Sequence, residues 1–124
     1  NNIVYFFPPI VGELIQGYSI SENHFGVDIV AEKNAFISSV DDGRVILSDW
    51  TRETGFVIGV HHNNGFLSLY KHNSKLLKTV GDFVRAGDPI AVIGNSGEIT
   101  SGPHLHFELW KNGESVNPIN YISF

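Results

Sequence analysis

The chain contains no cysteine and no methionine. Without thiols there is no disulfide, no thiolate metal ligand and no cysteine nucleophile, so any metal must be held by His, Asp and Glu. The lack of cysteine leaves the redox compartment open. A Lys/Arg-rich stretch is also missing. Eight basic residues stand against 13 acidic ones for a net charge of −5, which offers no electrostatic attraction to nucleic acid or to an anionic membrane surface. No apolar run is long enough to cross a bilayer, and no charged-then-apolar signal segment opens the chain. Because methionine is absent even from position 1, the chain is expected to be a processed or excised portion of something longer. Any signal peptide, anchor or further domain would then lie upstream of Asn1.

Sustained apolar spacing at i, i+3, i+4, i+7 is lacking as well, apart from a single helical turn expected at Ser74-Lys75-Leu76-Leu77 with Ser74 as N-cap. What is present instead is glycine, 13 in all, at short intervals that include Gly43, Gly55, Gly59, Gly65, Gly81, Gly87, Gly94 and Gly97. Between them lie β-branched and aromatic runs at 44–47, 56–60, 66–70 and 89–93. Short strands separated by regular turn signals predict an all-β sandwich or barrel in one domain of 124 residues. Asn64-Gly65 supplies the positive φ angles of a tight hairpin turn, and His61 and His62 beside it are expected to be surface polar residues. Val80 to Ile90, with glycines at 81 and 87, suits a strand-to-strand corner. Residues 1–11, with Pro8 and Pro9, are expected to be an extended lead-in.

Three clusters carry chemistry. In Ser101-Gly102-Pro103-His104-Leu105-His106-Phe107-Glu108, polar and apolar residues alternate as on a half-buried strand. His104 and His106 then share one face, and Leu105 and Phe107 point into a core. Two imidazoles side by side on a strand suit metal ligation, or ligation plus proton transfer, and equally fit a solvated strand face. In His24-Phe25-Gly26-Val27-Asp28, His and Asp four apart either share a metal across a tight Gly26 turn or are a turn residue and a cap. With His106 they supply three N/O ligands, the number typical of a catalytic zinc site. In Ser68-Leu69-Tyr70-Lys71-His72, alternation places Ser68, Tyr70 and His72 on one face. That face matters only if this strand lies beside the His104/His106 strand. Glu108, in line with the two histidines, is either an acceptor that orients one imidazole or a solvated or ion-paired carboxylate.

These three motifs, in this order, resemble those of the lysostaphin-type (LytM-domain) zinc metallopeptidases, and Asp42-Gly43-Arg44-Val45, Asn64-Gly65 and the run from Val84 to Gly94 are similar too. The resemblance spans residues 12–121. It implies a compact antiparallel β-domain of the barrel-sandwich-hybrid (duplicated hybrid motif) type, with a groove across one sheet. It implies one Zn2+ held by His24, Asp28 and His106, with His72 and His104 as catalytic, non-ligating histidines. The implied substrate is the peptide part of bacterial peptidoglycan, in cross-bridges or stem peptides, and the implied location is extracytoplasmic. The family also contains LytM-type domains that activate a wall hydrolase without being one and have lost metal ligands, whereas this chain keeps all five residues. It departs from the common pattern at Glu32-Lys33-Asn34-Ala35, where a Gly-Thr-Pro turn is frequent, and at Asn73, where leucine is common. Both departures bear on loop shape and specificity.

Overall fold

A computed structural model of the chain describes residues 5–94 and 102–124. Gly97 and Ser101, counted above as a turn glycine and as the first residue of the last motif, lie outside the described residues. Among the described residues ten strands follow one another: β1 (Glu13–Gln16), β2 (Val27–Val30), β3 (Phe36–Ser38), β4 (Gly43–Thr51), β5 (Gly55–His61), β6 (Phe66–Leu76), β7 (Phe83–Val84), β8 (Pro89–Ile93), β9 (His104–Lys111) and β10 (Glu114–Val116). They form the all-β antiparallel domain that the turn spacing predicts. The sheet order is β1-β2-β9-β6-β5-β4-β7, with β10 on β9 and with β8 joining β6 to β3. No helix among the described residues is long and apolar enough to cross a membrane.

The strands form where β-branched and aromatic residues can cover a common core. Val27 and Ile29 of β2, Leu105, Phe107 and Leu109 of β9, and Val45, Ile58 and Val60 of the β4–β5 hairpin are all fully buried. Leu105 and Phe107 thus point inward as alternation requires. Asn64 and Gly65, in the turn between β5 and β6, take φ of 64° and 79°, the left-handed region that a tight turn demands. Of the lead-in, the described residues 5–11 form no strand, yet Phe6 and Ile10 belong to the core. Phe6 is buried, stacks edge-on against Phe66 at 5.0 Å, and donates its backbone N–H to Tyr121 O.

Three expectations are corrected. The helical turn at 74–77 does not form, because Asn73, Lys75 and Leu76 pair with β8 and strand pairing overrides a weak capping signal. The alternation along β6 breaks at His72, whose φ is 68°. Ile58 and Phe56 of β5 stand opposite Tyr70 and Asn73, so β6 spends three steps where β5 spends two, which makes a bulge. Ser68 and Tyr70 are therefore buried on the core face, while Lys71 and His72 both reach the face that carries His106. Finally, His62 is not a surface residue but only 1% exposed.

His62 closes a hydrogen-bonded chain under the sheet. Its Nδ1 lies 2.8 Å from Asp42 O, which accepts only, so the proton sits there and Nε2 accepts from Ser68 Oγ at 2.7 Å. Ser68 Oγ and Tyr70 Oη are 2.7 Å apart, and Tyr70 Oη accepts from the Val40 N–H. Burial pushes the Tyr70 hydroxyl up to about 12 and holds His62 below its ordinary value. The unfolded chain therefore takes a proton at His62 first as pH falls. The stability this residue contributes is complete above about pH 6.5 and is lost as pH falls through its depressed folded value. His62→Gln should cost about 1–3 kcal/mol at neutral pH, and in urea unfolding its gap from the parent should narrow between about pH 7 and pH 5. A gap that does not change with pH would show that His62 is not held neutral.

Candidate metal centre

Strand register assembles this site. Asp28 of β2 stands directly opposite His106 of β9, and His106 stands directly opposite Lys71 of β6. His24 reaches the same place from a short turn closed by two backbone hydrogen bonds between Ser19 and His24, at 2.8 and 2.9 Å. Gly26 lets that turn press onto β9, since a Cβ there would collide with Phe107 O and lie 3.0 Å from His106 Nε2. One ligand atom from each of His24, Asp28 and His106 falls within 4.8 Å of the others.

The hydrogen bonds around the site say which nitrogens face it. His24 Nδ1 lies 2.7 Å from Gly17 O. A carbonyl only accepts, so Nδ1 carries the proton and Nε2 turns its lone pair toward Asp28 Oδ2, 3.0 Å away. His106 Nε2 lies 2.8 Å from Glu108 Oε2, and its Nδ1 lies 2.7 Å from Asp28 Oδ1. Two imidazole nitrogens and a carboxylate thus converge, an arrangement that a shared proton or a cation between them holds together. Two imidazoles and one carboxylate are a donor set that suits zinc. The charges agree. Burial opposes ionisation of Asp28, but hydrogen bonds and charge from His106 and His24 outweigh it and hold the carboxyl below its ordinary value. Burial likewise opposes a charged His106, yet the hydrogen bonds to Asp28 and Glu108 carry it up to about 9. Without a metal a proton occupies this place, and metal uptake must release it.

His72 and His104 stand beside this group. Their ring centroids are 5.3 Å apart, and His72 lies 6.2 Å from His106. His104 is 3% exposed, paired through Cα register with Val30 and bridged to Gly94. His72 owes its direction to the bulge, where its N–H donates to Thr54 O at 2.8 Å. Asn73 braces the same turn by donating from Nδ2 to Tyr70 O and Phe56 O. Burial, then the neighbouring His104 and His106, lower the His72 pKa and keep the ring neutral near pH 7.

Glu108 turns out to play both parts considered for it, as an acceptor from His106 and as the ion-pair partner of Lys71 Nζ at 2.9 Å. Burial opposes its charge, but the hydrogen bonds from His106, Lys71 and Trp110 bring it down to about 2. Lys71 and Trp110 were missed in the sequence. The alternation that gathers His104, His106 and Glu108 reaches Trp110 if carried one step further. Lys71 was hidden because unbroken alternation assigns the site face to Tyr70 and His72. Beyond Glu108, an open cleft is lined by Tyr18, Ile20, Phe25, Trp110, Glu114 and Ser115.

Residues 22–118 match the model of the family described as Peptidase family M23. Among curated relatives, the chain is 44% identical over 93 residues to the murein hydrolase activator EnvC of Escherichia coli K12, covering 75% of this chain and 22% of that protein. It is 38% identical over 116 residues to the murein hydrolase activator NlpD of Salmonella dublin, covering 92% and 30%. It is 32% identical over 110 residues to the peptidoglycan DD-endopeptidase ShyC of Vibrio cholerae, covering 89% and 24%. The chain thus spans less than a third of the length of each of these relatives. Among solved structures, Helicobacter pylori Csd3 superposes with a TM-score of 0.85 at 30% identity, over 98% of this chain and 34% of that one. A zinc-containing peptidase from Vibrio cholerae gives 0.79 at 27%, over 94% and 39%. Lysostaphin from Staphylococcus simulans gives 0.75 at 28%, over 87% and 48%.

The bulge that aims His72 is pressed from behind by Gly94, where an added Cβ would overlap His72 O and lie 2.8 Å from the Asn73 carbonyl carbon. Gly94→Ala should therefore lower stability by about 1–3 kcal/mol or more, read by urea unfolding. An unchanged midpoint would show that the backbone there is free to yield.

Proposed function

Since the chain belongs to peptidase family M23, we propose that it is a zinc-dependent endopeptidase that hydrolyses peptide bonds in bacterial peptidoglycan, in its cross-bridges or stem peptides. The observation that carries this reading is the convergence of His24 Nε2, His106 Nδ1 and Asp28 on one point, with two further imidazoles beside it. His24, Asp28 and His106 hold one zinc ion per chain. Bound there, zinc supplies the Lewis acidity that makes water a nucleophile near neutral pH and polarises a carbonyl.

The rest of the work falls to side chains. His104 Nδ1 faces Gly102 O at 3.4 Å, which leaves Nε2 to take the proton of the attacking water and return it to the leaving amine. His72, kept neutral, has an N–H to orient the water or to stabilise the tetrahedral oxyanion. Asp28 brings the only negative charge of the ligand set, so the loaded site stays net positive and favours that oxyanion. Peptidoglycan lies outside the cytoplasm, and so does the protein on this reading. The similarity to ShyC, named as a peptidoglycan DD-endopeptidase, supports the reaction class.

A second reading has its own support, because EnvC and NlpD are both named as murein hydrolase activators. On that reading the domain docks on a wall hydrolase and cuts nothing itself. What favours the enzyme is the retention of all three ligands and both extra histidines. The expected result is one zinc per chain and a digestion of purified peptidoglycan that a chelator stops, with the cut bond identified by product mass. A chain that takes up zinc but leaves peptidoglycan intact, while stimulating a separate hydrolase, would establish the activator instead. His104→Ala should keep its zinc and lose about 10²- to 10⁴-fold in turnover, whereas His106→Ala should lose the metal. Equal zinc loss in both would show that the division into a base and a ligand is wrong.

A further inference from the structure

A histidine ligand can bind through either ring nitrogen, and something must choose. On the reading that His24, Asp28 and His106 hold a metal, the choice at His106 is made from behind. Its Nδ1 turns toward Asp28, and its Nε2 points at Glu108 Oε2, 2.8 Å away. Glu108 is 6% exposed. A carboxylate so close to a cation site would compete as a ligand if its oxygens were idle, yet they are not. Oε2 also accepts from Lys71 Nζ at 2.9 Å, and Oε1 accepts from Trp110 Nε1 at 3.0 Å. Every oxygen of Glu108 is engaged by a donor on the same sheet face, two from β9 and one from β6.

We propose that Lys71, Glu108 and Trp110 form a positioning relay that fixes His106 with Nδ1 toward the metal and keeps Glu108 off it. Each part has a separate task. Glu108 accepts the Nε2 proton and so selects the tautomer and the ring plane. Lys71, opposite His106 in the β6–β9 register, cancels the charge that would otherwise draw Glu108 to the metal. Trp110 anchors the far oxygen, and its indole also lines the cleft formed with Tyr18, Ile20 and Phe25. Two hydrogen bonds therefore join the wall of that cleft to a metal ligand.

The test is zinc affinity, measured by competition with a chromophoric chelator on the whole chain, with thermal unfolding as the check on folding. Glu108→Ala should remain folded and bind zinc about 10- to 100-fold more weakly. Glu108→Gln, whose amide oxygen still accepts from Nε2, should recover most of that loss. If Glu108→Ala does not fold, Glu108→Met fills the space with an apolar chain and should show the same weakening. Lys71→Met should change affinity by at least about 3-fold more in the parent than in the Glu108→Ala background, because a direct effect of its charge on zinc is common to both and cancels in the cycle. Nitrogen-detected NMR of the zinc-loaded parent should find His106 metal-bound at Nδ1 and protonated at Nε2. Unaltered zinc affinity in Glu108→Ala, no recovery in Glu108→Gln, zero coupling with Lys71, or coordination through Nε2 would each overturn the relay. A parent that binds no zinc at all would overturn the metal reading itself, a different and separately visible failure.

Discussion

The structure depends on the antiparallel register of β2, β9 and β6. That register sets Asp28, His106 and Lys71 in a single transverse row, one residue from each of three adjacent strands. In such a row the Cβ spacing is fixed by backbone hydrogen bonds, not by loop conformation. Of the proposed ligands only His24 comes from outside a strand, and its turn is closed by paired backbone hydrogen bonds and pressed onto β9 at Gly26. A site carried on rigid elements in this way needs little reorganisation to take up a cation. A slip of one residue between β2 and β9 would send Asp28 to the core and Ile29 to solvent. The buried Val27 and Ile29 therefore guard the ligand geometry as much as they guard the fold.

Charge is arranged as strictly as position. Two carboxylates flank one imidazole, but they meet different fates. Asp28 has imidazoles on both sides, so its charge is turned toward the point of convergence. Glu108 is surrounded by Lys71, Trp110 and the Nε2 face of His106, so its charge is spent locally. Both are buried, where an unpaired carboxylate is costly, and both stay ionised because donors surround them. His72 and His104, by contrast, meet no carboxylate at hydrogen-bond distance among the described residues, which suits the proton exchange proposed for them.

Much of this was legible in the sequence, for a physical reason: the period of two along a strand is enough to place His104, His106 and Glu108 on one face and Leu105 and Phe107 on the other. The Asn64-Gly65 turn was legible because left-handed backbone is specific to a few residue types. His72 marks the limit of the same rule. Its left-handed φ is braced by Thr54, Asn73 and Gly94, whose convergence on it comes from the tertiary fold, and that single residue exchanges the faces of Lys71 and Tyr70. His62 was misread because a histidine beside a turn looks solvated, whereas its partners Asp42 and Ser68 are supplied by the tertiary fold. In the lead-in, nothing local tells that Phe6 will pack on Phe66 and Tyr121.

One consequence follows from the sheet having two faces with separate duties. The apolar cluster that holds the fold draws on neither His24, Asp28, His106, His72 nor His104. Scaffold and chemistry are thus encoded in different, interleaved letters of the same strands. A lineage can rewrite one set while the other goes on being selected. Proteins named as hydrolase activators and proteins named as endopeptidases can then both resemble this one chain.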